Sequence, residues 1–174
     1  MASRIHSGIL TCLVGGAAAL GGCSSDNQQL SQDAAVSRDA DFSVCLDSPA
    51  VMYAAGMNVT SSSGAYVATL DSAITEGMPP IIGPQVGLGT WVVSITNASD
   101  GTPAPDATLT AEKPWMPIHK HGATTFPLVT PGDPGKYTVS KIDFFMAGYW
   151  EQKLYLQAPG AAQDQAAFAI CVPQ

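Results

Sequence analysis

The chain has 174 residues, with 14 acidic side chains and seven Lys or Arg, and its formal net charge is −7 when histidine is neutral. This balance disfavours a nucleic-acid-binding protein, because contact with phosphate requires clustered Lys and Arg. The length remaining after removal of a leader supports one compact domain. After the first 22 residues, no apolar run in the sequence is long enough to predict a membrane span.

The first 22 residues predict a signal peptide. Arg4 precedes the apolar run ILTCLVGGAAAL (9–20), which is short for a transmembrane helix and is followed by small residues. Leu20-Gly21-Gly22-Cys23 resembles a bacterial lipobox, in which the cysteine is lipidated and becomes the first mature residue. We therefore expect a lipoprotein that is anchored to a bacterial membrane through Cys23 and faces the periplasm or the exterior. The alternative is an ordinary signal peptide with an incidental cysteine.

Removal of residues 1–22 takes away Arg4 and no acidic residue, so the formal charge changes from −7 to −8. Residues 23–41 are polar and show no sustained apolar period, which predicts a flexible tether between the lipid and the domain. The domain is then expected to comprise residues 42–174.

Two cysteines remain in the predicted domain. Cys45 and Cys171 lie near its two ends, and in an oxidising compartment this arrangement predicts a disulfide. Closure of so long a loop stabilises a fold by roughly 4–5 kcal/mol in the loop-entropy model. The alternative is a metal site made by the two thiolates, but the spacing of the cysteines is not typical of one. A disulfide removes thiolate from the expected metal ligands.

From residue 42 onward, short apolar runs alternate with turn sequences, which predicts an all-β antiparallel sandwich. FSVCL (42–46) and AAFAICV (166–172) are expected to be the first and last strands, joined by the disulfide. The segment 77–89 is rich in proline and glycine and predicts a long loop. The clearest alternation occurs in 89–97, with Trp91, Val93 and Ile95 on one face, and in 149–157, with Trp150, Leu154 and Leu156 on one face.

The stretch KPWMPIHKHG (113–122) contains two of the three histidines of the chain beside a methionine. If the chain is extended here, His119 and His121 project from the same face, about 6–7 Å apart along the strand. Imidazole is a ligand for copper, zinc and nickel, and thioether sulfur favours copper. Strict alternation sends Met116 to the other face, but the neighbouring prolines interrupt regular pairing, so Met116 stays a candidate ligand.

A second thioether lies in KIDFFMAGYW (141–150), where Met146 precedes a predicted bend at Ala147-Gly148. The predicted metal ligands are therefore His119, His121, Met146 and Met116, with Asp143 as a harder oxygen donor. The alternative for Met146 is a role as core filler, because methionine packs well in irregular gaps.

This ordered set of motifs resembles the YtkA-like domain family and, more weakly, FixH-type domains. The resemblance covers residues 88–157. It rests on a Met-Pro-x-His-x-His-Gly stretch, a Pro-Gly…Tyr segment and a Phe-x-Met-x-Gly-x-Trp strand. The matching positions are Met116, Pro117, His119, His121 and Gly122; Pro134, Gly135 and Tyr137; and Phe144, Met146, Gly148 and Trp150. The resemblance implies an immunoglobulin-like sandwich and extracytoplasmic copper handling.

The sequence therefore predicts a non-catalytic protein that delivers copper, buffers it or confers tolerance to it. We expect this protein to exchange copper with a donor or acceptor protein. No Ser-His-Asp pattern, HExxH motif or phosphate-binding loop predicts an enzyme. Copper binding is expected to weaken in acid, because imidazolium has no free lone pair. The alternative is an adhesion or envelope-assembly module without a metal, in which Trp115 is an exposed contact residue.

Overall fold

The computed structural model describes residues 41–174. These residues form eleven strands in two antiparallel sheets, one of six strands and one of five. The six-stranded sheet has the order β1-β2-β4-β9-β8, with β3 paired to β2, and the five-stranded sheet has the order β11-β10-β6-β7, with β5 also paired to β10. The all-β sandwich predicted from the sequence is confirmed.

The strand bounds show which segments build each sheet. The strands are β1 (Met57–Thr60), β2 (Tyr66–Thr75), β3 (Ile81–Ile82), β4 (Gly87–Asn97), β5 (Thr108–Ala111), β6 (Trp115–Met116), β7 (His121–Gly122), β8 (Leu128–Pro131), β9 (Lys136–Phe144), β10 (Gly148–Gln157) and β11 (Asp164–Val172). The segment predicted as a long loop, 77–89, contains the two-residue strand β3 and the first residues of β4.

The core lies between the two sheets, and the predicted alternation positions its side chains. Trp91, Val93 and Ile95 of β4 are completely buried, whereas the residues between them are partly exposed. Trp150, Leu154 and Leu156 of β10 are likewise completely buried. A side-chain period of two directs every second residue of a strand to one face, and apolar residues at those positions stabilise the sandwich by burial.

Aromatic rings connect the two sheets in the centre of the core. The Trp91 ring lies 5.8 Å from the Phe168 ring, edge to face, and 6.1 Å from the Phe144 ring, measured between centroids. Phe144 in turn lies 5.5 Å from Trp150. These contacts reach from the core to the end of the sandwich where β9 passes into β10.

The prediction that FSVCL (42–46) forms the first strand is wrong. Ser43–Cys45 is a single turn of 3-10 helix, and the first strand is β1. The Asp41 carboxylate accepts a hydrogen bond from the Ser43 N–H, the Cys45 N–H donates to Phe42 O, and the Ser48 hydroxyl donates to Cys45 O. Short polar side chains at both ends therefore stabilise a turn in a segment whose apolar alternation resembles that of a strand.

The predicted last strand and the disulfide are confirmed. The segment 166–172 lies within β11, and Cys45 is bonded to Cys171 with their Cα atoms 5.9 Å apart. Near the bond, Val51 forms a parallel bridge with Ile170. The N-terminal segment is thus fixed along the outer edge of β11 by a covalent bond and by backbone hydrogen bonds.

Candidate metal site

The histidine motif forms a short hairpin at the edge of the five-stranded sheet. Trp115 pairs with Gly122 and Met116 with His121, and residues 117–120 make the turn between β6 and β7. The Lys120 N–H closes the turn by donating to Met116 O at 2.8 Å. Lys120 has a φ of 56°, in the left-handed region that side chains other than glycine seldom adopt.

The hairpin begins where the pairing with β10 is interrupted. Both β5 and β6 pair with β10, but Pro114 between them lacks a backbone donor. The buried Gln152 side chain bridges the gap, because its Nε2 atom donates to Glu112 O at 2.8 Å. Trp115 then pairs with Glu151, and this contact positions the hairpin beside the start of β10.

The two histidine rings lie together, with centroids 5.7 Å apart and planes at 43°. They do not come from an extended segment, because 117–120 is a turn, and the prediction of simple strand alternation is wrong. His119 belongs to the turn and is exposed, whereas His121 belongs to β7 and is half-buried. The turn nevertheless brings the two rings to one side of the hairpin.

Met116 does not lie at the surface with the histidines. It is completely buried and belongs to the hydrophobic core. Its methyl group lies 2.8 Å from the position that a Cβ atom would occupy at Gly148, so the absence of a side chain there makes room for it. The thioether of Met116 is enclosed by protein, so this candidate ligand lies in the hydrophobic core.

Met146 lies in the connection from β9 to β10, residues 145–147, and is half-buried against the core. Its carbonyl accepts a hydrogen bond from Trp150 Nε1 at 2.9 Å, which holds the connection close to β10. The preceding residue, Phe145, approaches the histidines directly, with its ring 5.4 Å from the His121 ring at an angle of 30°. The connection that carries Met146 therefore contacts the half-buried histidine through Phe145.

The contact of Phe145 with His121 was not predicted from the sequence. The Phe145 side chain is 46% exposed, and its ring lies edge-on to the buried Trp150 ring at 5.2 Å. The Phe-Phe pair at 144–145 offers one signal, since residues that alternate along a strand cannot both face the core. Phe144 is buried, so its neighbour projects outward.

Gly122 is required by the close approach of the hairpin strands. A Cβ atom at this position would lie 2.8 Å from Pro114 O and 3.1 Å from the Trp115 ring. Only glycine permits this approach without displacement of the backbone. The glycine that follows the two histidines in the sequence motif thus holds β7 against β6.

The charged side chains around the hairpin are mostly lysines or already have a hydrogen-bond partner. Lys120 is exposed in the turn, and Lys113 Nζ lies 4.4 Å from the centroid of the Phe126 ring. Glu151 accepts a hydrogen bond from the Tyr149 hydroxyl at 2.6 Å. Burial, together with that hydrogen bond and the charge of Glu151, raises the pKa of Tyr149 above its ordinary value. Within residues 41–174 no group of three or more His, Cys, Asp or Glu side chains converges to hold a metal ion.

The arrangement can supply soft, neutral donors. Two imidazoles lie together on the hairpin, and the thioether of Met146 lies on the adjoining connection, whereas the sulfur atoms of Cys45 and Cys171 are bonded to each other. Asp143, the harder donor considered from sequence, is in β9 and pairs with Leu88 in the other sheet. Imidazole is a ligand for copper, zinc and nickel, and thioether sulfur is a soft ligand that favours Cu(I).

The predicted signal peptide (1–22), Cys23 and all but the last residue of the tether (23–41) lie outside the described residues. Between residues 41 and 174 no helix has the length and apolar character needed to cross a membrane. Comparisons with protein-family models, curated proteins and solved structures found no significant match for this chain.

Proposed function

We propose that the protein is a lipid-anchored copper-binding protein of the bacterial cell envelope. It delivers copper, buffers it or confers tolerance to it. The observation that carries the proposal is the pair of histidine rings 5.7 Å apart on a hairpin beside the Met146 connection. The lipobox-like sequence ending in Cys23 and the resemblance to YtkA-like domains support the location and the metal.

The unequal exposure of the two histidines suggests how the ion is exchanged. His119 is exposed on the turn and meets a copper donor first, whereas His121 is half-buried beside Phe145. Copper passes from the donor to His119, is shared with His121 and gains the thioether of Met146. Because few neutral ligands hold the ion, an acceptor protein with similar ligands can remove it by stepwise exchange.

Removal of both imidazoles tests the proposal. The purified protein, prepared without affinity tags or chelators, is titrated with cuprous ion in competition with a chromophoric chelator. We expect His119→Ala/His121→Ala to weaken binding at least about a hundredfold, equivalent to about 2.7 kcal/mol. Ile118→Ala, a truncation of an exposed residue in the same turn, is the matched control. Equal affinity of the double variant and the wild type would remove the proposal.

A second candidate is an adhesion or envelope-assembly module without a metal. It is favoured by the exposure of large apolar side chains on and near the hairpin, namely Trp115 (40%), Ile118 (58%) and Phe126 (66%). Exposed aromatic residues are frequent contact residues at protein interfaces. The two candidates differ in the metal titration, because the module binds no copper in either the wild type or the double variant.

A further inference from the structure

We infer that the domain has a membrane-binding surface at the point where the tether joins it, and that this surface rests on a phospholipid bilayer. We call it the N-terminal apolar surface, and it consists of Phe42, Leu46, Met52 and Ile82. The inference rests on the lipid anchor of the proposed function and adds a second, non-covalent contact with the membrane. None of the candidate copper ligands takes part in it.

The four side chains border two adjoining grooves beside the disulfide. Phe42, Leu46 and Met52 line one groove, of about 250 Å³, and Phe42 and Ile82 line the other, of about 130 Å³. The grooves are adjacent, because Phe42 and Cys171 line both. Leu46 is 80% exposed, Met52 62% and Ile82 81%. Large apolar side chains that cluster at a surface, unlike scattered ones, indicate an interaction site.

The shape of this surface favours a bilayer over a small molecule. Both grooves are smaller than the pockets of about 300–1,000 Å³ that typically enclose small ligands. Leu46 and Ile82 are mostly in water, so they project from the surface and enclose nothing. Projecting apolar side chains are suited to the boundary between head groups and acyl chains, where an amphipathic surface is buried by about 5–10 Å.

The position of the surface in the chain identifies the bilayer as its partner. The described residues begin at Asp41, and Phe42 follows directly. Only residues 24–40 separate Asp41 from Cys23, the predicted site of lipidation. A segment of this length spans at most about 60 Å when it is fully extended. A lipid on Cys23 therefore keeps the N-terminal apolar surface within reach of the membrane.

The charges around the surface indicate which lipids it fits. The segments 41–54, 76–88 and 171–174 contain no Lys or Arg, whereas Asp41, Asp47 and Glu76 are exposed carboxylates within them. Anionic lipids attract clustered Lys and Arg. Since these segments have only negative side chains, binding must come from apolar burial, and a zwitterionic phospholipid surface is the suitable partner.

This contact would leave the histidine hairpin away from the membrane. The segment that contains Val51 runs along the outer edge of β11, because Val51 forms a bridge with Ile170. The hairpin β6–β7 lies at the other edge of the same sheet, whose order is β11-β10-β6-β7. A domain that rests on the bilayer through the N-terminal apolar surface therefore keeps its candidate copper site accessible to a partner protein.

Vesicle flotation tests the inference. The predicted mature chain, residues 23–174, is prepared with Cys23→Ser so that it has no lipid, and is mixed with phosphatidylcholine vesicles. We expect this chain to bind, and we expect the added pair Leu46→Glu/Ile82→Glu to lower the partition coefficient at least about tenfold, because a carboxylate is costly to transfer from water to an apolar phase. Addition of phosphatidylglycerol should not strengthen binding, and high salt should not abolish it.

Ile118→Glu/Phe126→Glu is the matched control, because it removes two exposed apolar side chains near the hairpin and adds the same charge. We expect it to bind vesicles as well as the parent chain does, and circular dichroism checks that both variants are folded. Absence of binding by the parent chain, or equal binding by the two variants, would overturn the inference. A dimer in analytical ultracentrifugation that Leu46→Glu/Ile82→Glu dissociates, without vesicle binding, would assign the surface to a second copy of the chain and also overturn it.

The proposed function is tested separately. Labelling of the full chain with palmitate measures lipidation at Cys23, and the copper titration measures the histidine site. A labelled, copper-binding protein whose unlipidated form ignores vesicles would overturn the membrane-binding surface and leave the proposed function standing. A full chain that takes up no palmitate would remove the anchor and the inference with it.

Discussion

The two methionines considered as ligands have different environments. Met116 is completely buried beside Gly148, whereas Met146 is half-buried in the connection that contacts His121 through Phe145. Both residues are candidate ligands from the sequence alone. Met116 lies in the same stretch as His119 and His121, and Met146 belongs to the Phe-x-Met-x-Gly-x-Trp stretch. Whether a sulfur is available to a metal depends on the packing between segments more than 20 residues apart, which local sequence does not encode.

Leucine substitutions at the two positions distinguish a methionine that binds the metal from one that only packs in the core. Leucine has a volume similar to that of methionine but no sulfur, and such exchanges in a core cost less than about 1.5 kcal/mol. We expect Met146→Leu to weaken Cu(I) binding about tenfold, because the site loses its thioether. We expect Met116→Leu to leave Cu(I) affinity unchanged and to alter only the free energy of unfolding.

Anaerobic Cu(I) titration and urea denaturation of both variants provide the two measurements. Met116→Leu is the control for Met146→Leu, since the chemical change is the same. A loss of Cu(I) affinity in Met116→Leu with a normal unfolding curve would show that the buried sulfur reaches the metal.

At the scale of elements, alternation predicted β4 and β10, whereas the long strands β2 and β9 and the short β6–β7 hairpin were not predicted. Strands β4, β10 and β11 have buried and mostly apolar side chains at every second position, and burial of one face is enough to specify them. FSVCL has a similar alternation but becomes a 3-10 turn, because hydrogen bonds of Asp41 and Ser48 compete with strand pairing. The β6–β7 hairpin was missed, since its turn depends on Lys120 in a left-handed conformation for which lysine has no preference.

The two sheets are also connected through the turn between β1 and β2. Asp164, at the start of β11, accepts hydrogen bonds from the backbone N–H and the hydroxyl of Ser63. The Ser62 N–H donates to Gln165 O at 2.8 Å, beside the same carboxylate. A turn of the six-stranded sheet is thus fixed to the first residues of the last strand of the five-stranded sheet.

The Asp164 contacts predict an acid-dependent contribution to stability. Burial by itself raises the pKa of this carboxyl group, but hydrogen bonds from Ser61, Ser63 and Gln165 together lower it below its ordinary value. A carboxyl group whose pKa is depressed in the folded state stabilises the fold fully above its unfolded-state pKa of about 3.9. The contribution is lost as the pH falls through the lower, folded-state value.

We expect Asp164→Asn to reduce the free energy of unfolding by about 1–2 kcal/mol at pH 7, because it removes charged hydrogen bonds. The difference between variant and wild type should decrease as the pH is lowered from about 4 toward 2. Urea denaturation at a series of pH values measures it, with Asp47→Asn, at an exposed carboxylate, as the charge-matched control. A difference that stays constant down to pH 2 would contradict the assignment to the ionised carboxylate.

At the scale of the whole molecule, the disulfide joins the N-terminal segment to the last strand over a separation of 126 residues. The pairing was predictable from cysteine count and compartment, because only two cysteines follow the predicted signal and lipid sites. The order of the strands was not predictable, since it depends on which nonlocal edges pair. Cys171 lies opposite Tyr149 on β10, and its sulfur is directed to Cys45 and not to the histidine hairpin.

The disulfide should therefore stabilise the fold without contributing to metal binding. In the loop-entropy model, a closed loop of this length stabilises the native state by roughly 4–5 kcal/mol, so we expect Cys45→Ala/Cys171→Ala to lose up to that amount. Denaturation of this variant and of the wild type, in urea without reductant, measures the loss. Under conditions where the variant is still folded by circular dichroism, its Cu(I) affinity should equal that of the wild type. If the folded variant binds Cu(I) more weakly, the disulfide contributes to metal binding and the two regions are not independent.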